Sequence, residues 1–192
     1  KEKDEKLILN VNKSILIKLS ISLSLIILTV VFAQLRFFIP GNPVPITFQT
    51  LGILLMGGLL GPFWGLGTAT VYVLLGMMGL PVFQGGNGGF DYTLGVTGGY
   101  IIGFILSTFT VGWLFRIGLD RSKSLWAYII GTMIIYVPAI IWLSVFDFGW
   151  PKEGEMLSQA VYPFVIGDLL KAVIASLFTI SFSMISKNLG KK

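Results

Sequence analysis

The chain has 192 residues, of which 54% are hydrophobic and only 12% are charged, and its mean hydropathy is +0.85. A soluble domain carries about 25% charged residues, so this composition indicates an integral membrane protein of one domain. The sequence holds neither cysteine nor histidine, which excludes disulfides, thiol catalysis and imidazole relays, and we expect no metal site and no cofactor. The net charge of +5 does not indicate nucleic-acid binding, because the positive residues flank apolar segments.

The N-terminal part combines a charged start with a long apolar segment. We expect residues 1–13 to form a cytoplasmic tail, with a short amphipathic surface segment as the alternative. Residues 14–35 are long enough to cross a hydrocarbon core of about 30 Å as a helix. A cleaved signal peptide is the alternative interpretation of this segment. Three prolines in residues 36–46 predict that the helix ends there and that an extended connection follows.

The next two apolar segments are short and carry no charge. They comprise residues 47–60 and 63–80, and Gly61 and Pro62 turn the chain between them. This pattern predicts a tight helical hairpin that is buried among other helices. Gly57 lies four residues before Gly61, a spacing that allows close helix contact.

A glycine-rich stretch follows at residues 81–100, in which seven of the twenty residues are glycine. Irregular backbone near membrane depth must be buried in protein or must line a cavity. We therefore expect the glycine backbone, including Gly86, and the side chain of Asn87 to approach a ligand. A flexible surface connector is the alternative.

Three further apolar segments complete the predicted fold; they are residues 98–115, 125–146 and 160–185. The sequence therefore predicts an all-α membrane bundle of six transmembrane helices over residues 14–187. Residues 188–192 form a basic tail, which we expect to be cytoplasmic.

The distribution of Lys and Arg predicts the orientation of this bundle. Six spans place both termini on one side, and eleven of the fourteen Lys and Arg residues lie on that side, against Arg36 and Lys152 on the other. By the positive-inside rule both termini are cytoplasmic. The proline segment, the glycine-rich stretch and the acidic loop at residues 147–159 then share the outer face.

Two ionisable residues, Asp168 and Lys171, lie well inside the last apolar segment. Charges at such a depth are costly and usually mark a functional pocket or path. Their i, i+3 spacing places them on one helix face, where they could bind a polar ligand. A self-neutralising pair that only joins helices is the alternative. Gln49 and Tyr100 are further candidate ligand-binding residues, although each could instead be a helix cap or a packing hydrogen bond.

The chain lacks the motifs that would let it act alone as a pump or an enzyme. It has no G-x-x-x-x-G-K-[ST] sequence for ATP, no evident nucleophile–base pair and no second catalytic Asp inside a span. It also shows no pair of inverted halves of the kind found in many secondary transporters. These observations favour a binding component that takes its energy from partner subunits.

Four sequence runs resemble the BioY family, the biotin-binding S components of energy-coupling factor (ECF) transporters. The runs are PVPITFQTLGILLMGGLLGP (43–62), GLPVFQGGNGGF (79–90), GVTGGYIIGF (95–104) and GDLLKA (167–172). The resemblance implies a six-helix protein of the bacterial cell membrane that binds biotin from outside. It also implies three partners: one transmembrane coupling subunit (EcfT-like) and two ATPase subunits (EcfA-like). An S component for another small vitamin, an intramembrane enzyme and a small channel are the alternatives.

The resemblance also suggests a partner-binding surface on the first span. S components of this superfamily carry small residues there, which contact the coupling subunit, and this chain has Ser20 and Ser24 at a four-residue spacing. Hydrogen bonding back to the helix, or packing against another span of the same chain, is the alternative role for these serines.

Overall fold

The computed structural model describes the backbone of residues 2–189 and the side chains of residues 12–184. Five long helices dominate it, and all five are long and apolar enough to cross a membrane. In chain order the elements are α1 (Glu2–Gln34), β1 (Arg36–Phe37), β2 (Ile46–Thr47), α2 (Gln49–Met77), α3 (Phe90–Thr93), α4 (Gly98–Arg116), α5 (Ser124–Val145), α6 (Met156–Ala160) and α7 (Tyr162–Leu189).

Helix α1 is longer than the sequence predicted. It begins at Glu2, so its backbone is helical through most of the segment expected to be a tail. Residues 2–13 contain no Gly or Pro and are rich in Glu, Lys and Leu, which are good helix formers, so nothing in them ends the helix. At the other terminus, α7 extends to Leu189, so the end of the predicted basic tail, residues 190–192, lies outside the described residues.

Helix α2 is a hairpin of two antiparallel arms, residues 49–60 and 62–77. Gly61 has φ 76° and ψ −178°, a backbone conformation that L side chains rarely adopt and that reverses the chain. The arms then meet: a Cβ at Gly65 would lie 3.2 Å from the Cα of Gly57. The hairpin predicted from the Gly61-Pro62 turn is therefore present, and the five long helices supply six membrane segments.

Helix α4 lies at the centre of the bundle because its glycines allow close packing on two sides. A Cβ at Gly103 would lie 2.5 Å from the carbonyl oxygen of Ile135 on α5. On the other side, a Cβ at Gly112 would lie 2.7 Å from the Cα of Pro62 in the hairpin. Small residues that let helix backbones approach are the usual contact surface inside membranes.

The loops at one end of the bundle are tied to each other. The proline segment forms a short antiparallel β-hairpin in which Arg36 pairs with Thr47. Asn42 in this hairpin donates to the carbonyl oxygen of Gln159 at 2.9 Å, and Arg36 bonds the side chain of Gln84 at 3.2 Å. The proline segment, the glycine-rich stretch and the loop before α7 thus gather at one end of the bundle, which we call the loop face, as the span count predicted. We call the opposite end, where α1 begins and α7 ends, the terminal face.

Candidate functional site

The ion pair of Asp168 and Lys171 lies deep in the bundle, where three helices converge. The two side chains are 2.6 Å apart, and both residues are more than 90% buried. Lys171 Nζ also donates to Thr50 Oγ1 of α2 at 3.0 Å, and Tyr136 of α5 donates its hydroxyl to Asp168. An ammonium has three N–H donors, and contacts with the described side chains use two of them, so a third can bind a ligand.

A cavity of about 70 Å³ opens beside this pair, several times the space that one water molecule requires. Its wall is mostly apolar, with polar groups at a few positions, which is the usual composition of a small-molecule site. The lining residues are Val44, Pro45, Thr47, Gln49, Thr50, Phe83, Gln84, Tyr92, Thr97, Tyr100, Ile101, Phe104, Ile135, Tyr136, Phe164, Asp168 and Lys171.

Two of the other predicted site residues, Gln49 and Tyr100, also line the cavity. Gln49 is buried, and its Nε2 donates to the hydroxyl of Tyr72 at 2.8 Å. Tyr72 in turn donates to the carbonyl oxygen of Val82, so Gln49 connects α2 to the start of the glycine-rich stretch. Tyr100 donates to the carbonyl oxygen of Ala160 at 2.6 Å, which connects α4 to α6.

The residues predicted from the glycine-rich stretch, Gly86 and Asn87, do not line the cavity. Gly86 is exposed, and the side-chain amide of Asn87 donates to the carbonyl oxygen of Gln84 at 2.7 Å. The Asn87 amide bonds locally because the turn places the Gln84 carbonyl, three residues earlier, within hydrogen-bond distance. The stretch instead contributes Phe83 and Gln84 to the cavity wall.

Phe83 anchors the glycine-rich stretch over the cavity. Its ring is 99% buried, stacks on Tyr92 with centroids 5.5 Å apart, and meets Tyr72 edge-on at 5.7 Å. Its carbonyl oxygen accepts a hydrogen bond from Gln34 at the end of α1. Burial raises the pKa of Tyr92, which lies in the short helix α3 outside the membrane-spanning helices. These contacts hold the stretch in place, which disfavours the alternative of a flexible surface connector.

Sequence reasoning missed Tyr136 and Thr50, although both contact the ion pair. A signal for Tyr136 was available, since a Tyr hydroxyl in an apolar helix generally requires a hydrogen-bond partner. Thr50 gave no such signal, because a Thr hydroxyl commonly bonds a nearby backbone group and a single Thr in an apolar segment is not unusual. Its role depends on the approach of α7 to α2, which the sequence does not specify.

Ser20 and Ser24 lie on the side of α1 that faces away from the bundle. Both are exposed, and Ser24 Oγ donates to the carbonyl oxygen of Ser20 at 2.9 Å. Their neighbour Ser22 is buried and accepts a hydrogen bond from Thr68 of α2 at 2.9 Å. Ser20 and Ser24 are therefore not packed against the other described helices of this chain. The alternative role, a hydrogen bond from the side chain back to its own helix, is present at Ser24.

The fold and the cavity define a multi-pass α-helical membrane protein that encloses a small, partly polar site near one end of its bundle. The model of the BioY family matches residues 6–188. The chain therefore belongs to the BioY family, as the sequence runs indicated.

Individual relatives agree with this membership. The probable biotin transporter BioY of Pyrococcus horikoshii is 38% identical, with 77% of this chain and 85% of that protein covered. The biotin transporter BioY of Lactococcus lactis is 35% identical, with coverage of 71% and 77%. Among solved structures, the S-component for biotin from an ECF-type ABC transporter superposes with a TM-score of 0.79 at 29% identity, covering 90% of this chain and 94% of that one.

The buried pair generates a prediction about stability. Lys171→Met leaves the Asp168 carboxylate buried without its cation, and we expect a loss of about 3–5 kcal/mol in the free energy of unfolding. Asp168→Asn combined with Lys171→Met removes both charges and should cost clearly less. Thermal unfolding in detergent measures both, with Lys123→Met as an exposed control. A double variant as unstable as the single one would contradict this account of the pair.

Proposed function

We propose that this chain is the substrate-binding membrane subunit of an ECF-type importer, which captures biotin from outside for ATP-driven uptake. It acts as a transport subunit and not as an enzyme. The observation that carries the proposal is the buried Asp168–Lys171 pair, which faces a mostly apolar cavity in a chain of the BioY family.

The chemistry of the cavity fits biotin. Biotin has a ureido ring with N–H and C=O groups, a thioether ring, and a carboxylate on an apolar tail. Asp168 accepts N–H groups, and the free donor of Lys171 binds a carbonyl or carboxylate oxygen. Gln49 and Tyr100 contribute further polar atoms at the wall, while Phe104, Ile135 and Phe164 enclose the apolar parts. Asn87 and the backbone at Gly86 reach the ligand only if the glycine-rich stretch rearranges, and we retain them as candidate binding residues on that condition.

Substitutions at the pair test this assignment. Asp168→Asn and Lys171→Ala should each weaken biotin binding by about 2–5 kcal/mol, because each leaves a buried charged partner unmatched. Since 1.4 kcal/mol is about tenfold, the loss is at least about thirtyfold in affinity. Titration calorimetry of the purified protein measures it.

Asp147→Asn, which removes an exposed carboxylate outside the cavity, is the matched control and should bind like the parent. Parent-like binding by both charge variants would mean that the pair only joins helices. A folded parent that binds another small vitamin but not biotin would favour the alternative specificity.

We also propose that the loop face lies outside the cell and that both termini are cytoplasmic. The support is the charge distribution along the sequence, in which eleven Lys and Arg residues belong to residues 1–18, residues 116–124 and the C-terminal tail, and two belong to the loops of the opposite side. In this orientation the cavity is nearer the outer surface, as uptake requires.

Cysteine labelling tests the orientation, because the chain has no cysteine of its own. In intact cells, Lys152→Cys on the loop face should react with a membrane-impermeant maleimide, and Lys123→Cys on the terminal face should react only after permeabilisation. Both positions are exposed, so reactivity reports their side of the membrane. The reverse pattern would contradict an importer.

Energy for accumulation must come from partners, since the sequence has no nucleotide site. We propose that a transmembrane coupling subunit docks on the exposed face of α1 at Ser20 and Ser24, and that two ATPase subunits bind through it. Small residues at a four-residue spacing let a second helix approach closely. The outward direction of both serines supports this surface.

Paired tryptophans test the docking surface. Ser20→Trp with Ser24→Trp should leave biotin binding by the isolated protein intact, while co-purification with the coupling and ATPase subunits and ATP-driven uptake fall together. The control is Val137→Trp with Ile141→Trp, which places two tryptophans at the same spacing on the exposed side of α5. Normal assembly of the serine variant would locate the docking surface elsewhere, and loss of biotin binding would indicate a role within the chain.

A further inference from the structure

A groove on the membrane-facing surface separates α1 from the second arm of α2. It has a volume of about 470 Å³ and lies in the half of the bundle near the terminal face, away from the cavity. On α1 it runs from Leu19 to Ile26, which is about 10 Å of helix. Its wall on the α2 side includes Trp64, Gly67 and Thr68.

The groove offers an apolar surface to an occupant. Its two hydroxyl groups bond within the protein, since Thr68 Oγ1 lies 2.9 Å from Ser22 Oγ and 2.8 Å from the carbonyl oxygen of Trp64. Gly67 leaves the floor open, because a Cβ at this position would meet no atom within 4 Å. Because both hydroxyl groups already have partners in the protein and the other lining groups are apolar, an alkyl chain suits the groove better than a polar group.

The end of the groove nearest the terminal face is positively charged. Lys18 immediately precedes the groove, and its Nζ lies 5.3 Å from the ring centroid of Trp64, which lines the groove. Lys13 is exposed about one turn further toward the terminal face. A Lys beside a Trp at this depth is typical of the boundary between the hydrocarbon and the lipid headgroups.

We propose that this groove is a binding site for one anionic phospholipid of the leaflet at the terminal face. One acyl chain lies between α1 and the second arm of α2, and the phosphate lies at Lys18. The proposed orientation identifies this leaflet as the cytoplasmic one, where anionic lipids attract basic residues near the surface. The site is independent of the proposed biotin cavity, because the two sets of lining residues do not overlap.

A helix of the coupling subunit is the other candidate occupant, and the geometry favours the lipid. Ser20 and Ser24 are two residues from the buried Ser22, so at 100° per residue both point away from the bundle. Leu19 and Leu23 line the groove on the flank of α1. The face proposed for the partner and the groove are therefore different sides of the helix, and a lipid can remain bound when the partner docks.

Native mass spectrometry of the full chain in detergent, with phosphatidylglycerol and phosphatidylcholine added in equal amounts, tests the site. The parent should retain one phosphatidylglycerol in preference to phosphatidylcholine. Lys18→Gln should reduce this preference about fivefold, the effect of one Lys near the surface. Gly67→Leu should abolish retention by filling the groove, and Gly67→Ala, which adds one methyl group to open space, should weaken it less.

Lys123→Gln is the matched control, since it removes an exposed lysine of the same face at a distance from the groove, and it should retain lipid like the parent. Equal retention of both lipids by the parent, or an equal loss in Lys18→Gln and Lys123→Gln, would overturn the proposal. Unchanged lipid retention by Gly67→Leu, together with failed assembly with the coupling subunit, would assign the groove to the partner helix. Biotin binding should be normal in all these variants, so failure of this site is distinguishable from failure of the proposed function.

If Gly67→Leu does not fold, tryptophan fluorescence of the other variants tests whether a lipid occupies the groove. Phosphatidylglycerol with brominated acyl chains should quench Trp64 in the parent, and Trp64→Phe should remove that quenched component. Quenching that is the same in the parent and in Lys18→Gln would overturn the role of Lys18.

Discussion

The ion pair of Asp168 and Lys171 is the constraint around which the loop-face half of the bundle is arranged. An isolated charge in a membrane interior is costly, so each member requires a partner at hydrogen-bond distance. They find it in each other, and then in Tyr136 of α5 and Thr50 of α2. Because these partners come from three different helices, satisfying the charges also determines how α2, α5 and α7 meet. The cavity lies where the three helices converge.

The central position of α4 has a different physical origin. The hydrophobic effect does not drive helices together inside a bilayer, so association depends on close packing and on hydrogen bonds. Gly103 lets α5 approach until its backbone is in contact, and Gly112 does the same for the hairpin turn. The polar contacts select the helix faces that meet at the loop end, while the glycines set how closely α4 is packed along its length.

Much of this arrangement was predictable from the sequence, because hydropathy and turn chemistry act locally. The six segments, the reversal at Gly61 and the i, i+3 pair on α7 follow from residue type and spacing. The sequence does not show that α1 continues for about three turns before the predicted span, because the charge of residues 2–13 indicates a tail although those residue types favour helix. Within the candidate site, Asp168, Lys171, Gln49 and Tyr100 were found as polar groups in apolar surroundings. The glycine-rich stretch predicts Asn87 as a ligand contact, yet the Asn87 amide bonds the Gln84 carbonyl within its own turn. The contact of Thr50 with Lys171 depends on how α7 packs against α2, which no local sequence pattern specifies.

Among the described side chains of α1, residues 12–34, none lines the cavity wall, although both proposed external contacts involve this helix. At the end of α1, Gln34 donates to the carbonyl oxygen of Phe83 in that wall, and Arg36 of the adjoining β1 bonds the side chain of Gln84. A change at the exposed face of α1 can therefore reach the cavity by two routes: this junction of a helix end and a loop, or helix α2, which packs against α1 and supplies Gln49 and Thr50 to the wall. Thermodynamic coupling is reciprocal, so a partner that alters substrate affinity through the junction is itself bound more or less tightly when the cavity is filled. The loaded and empty forms of the protein would then differ in how strongly they recruit the module that supplies the energy.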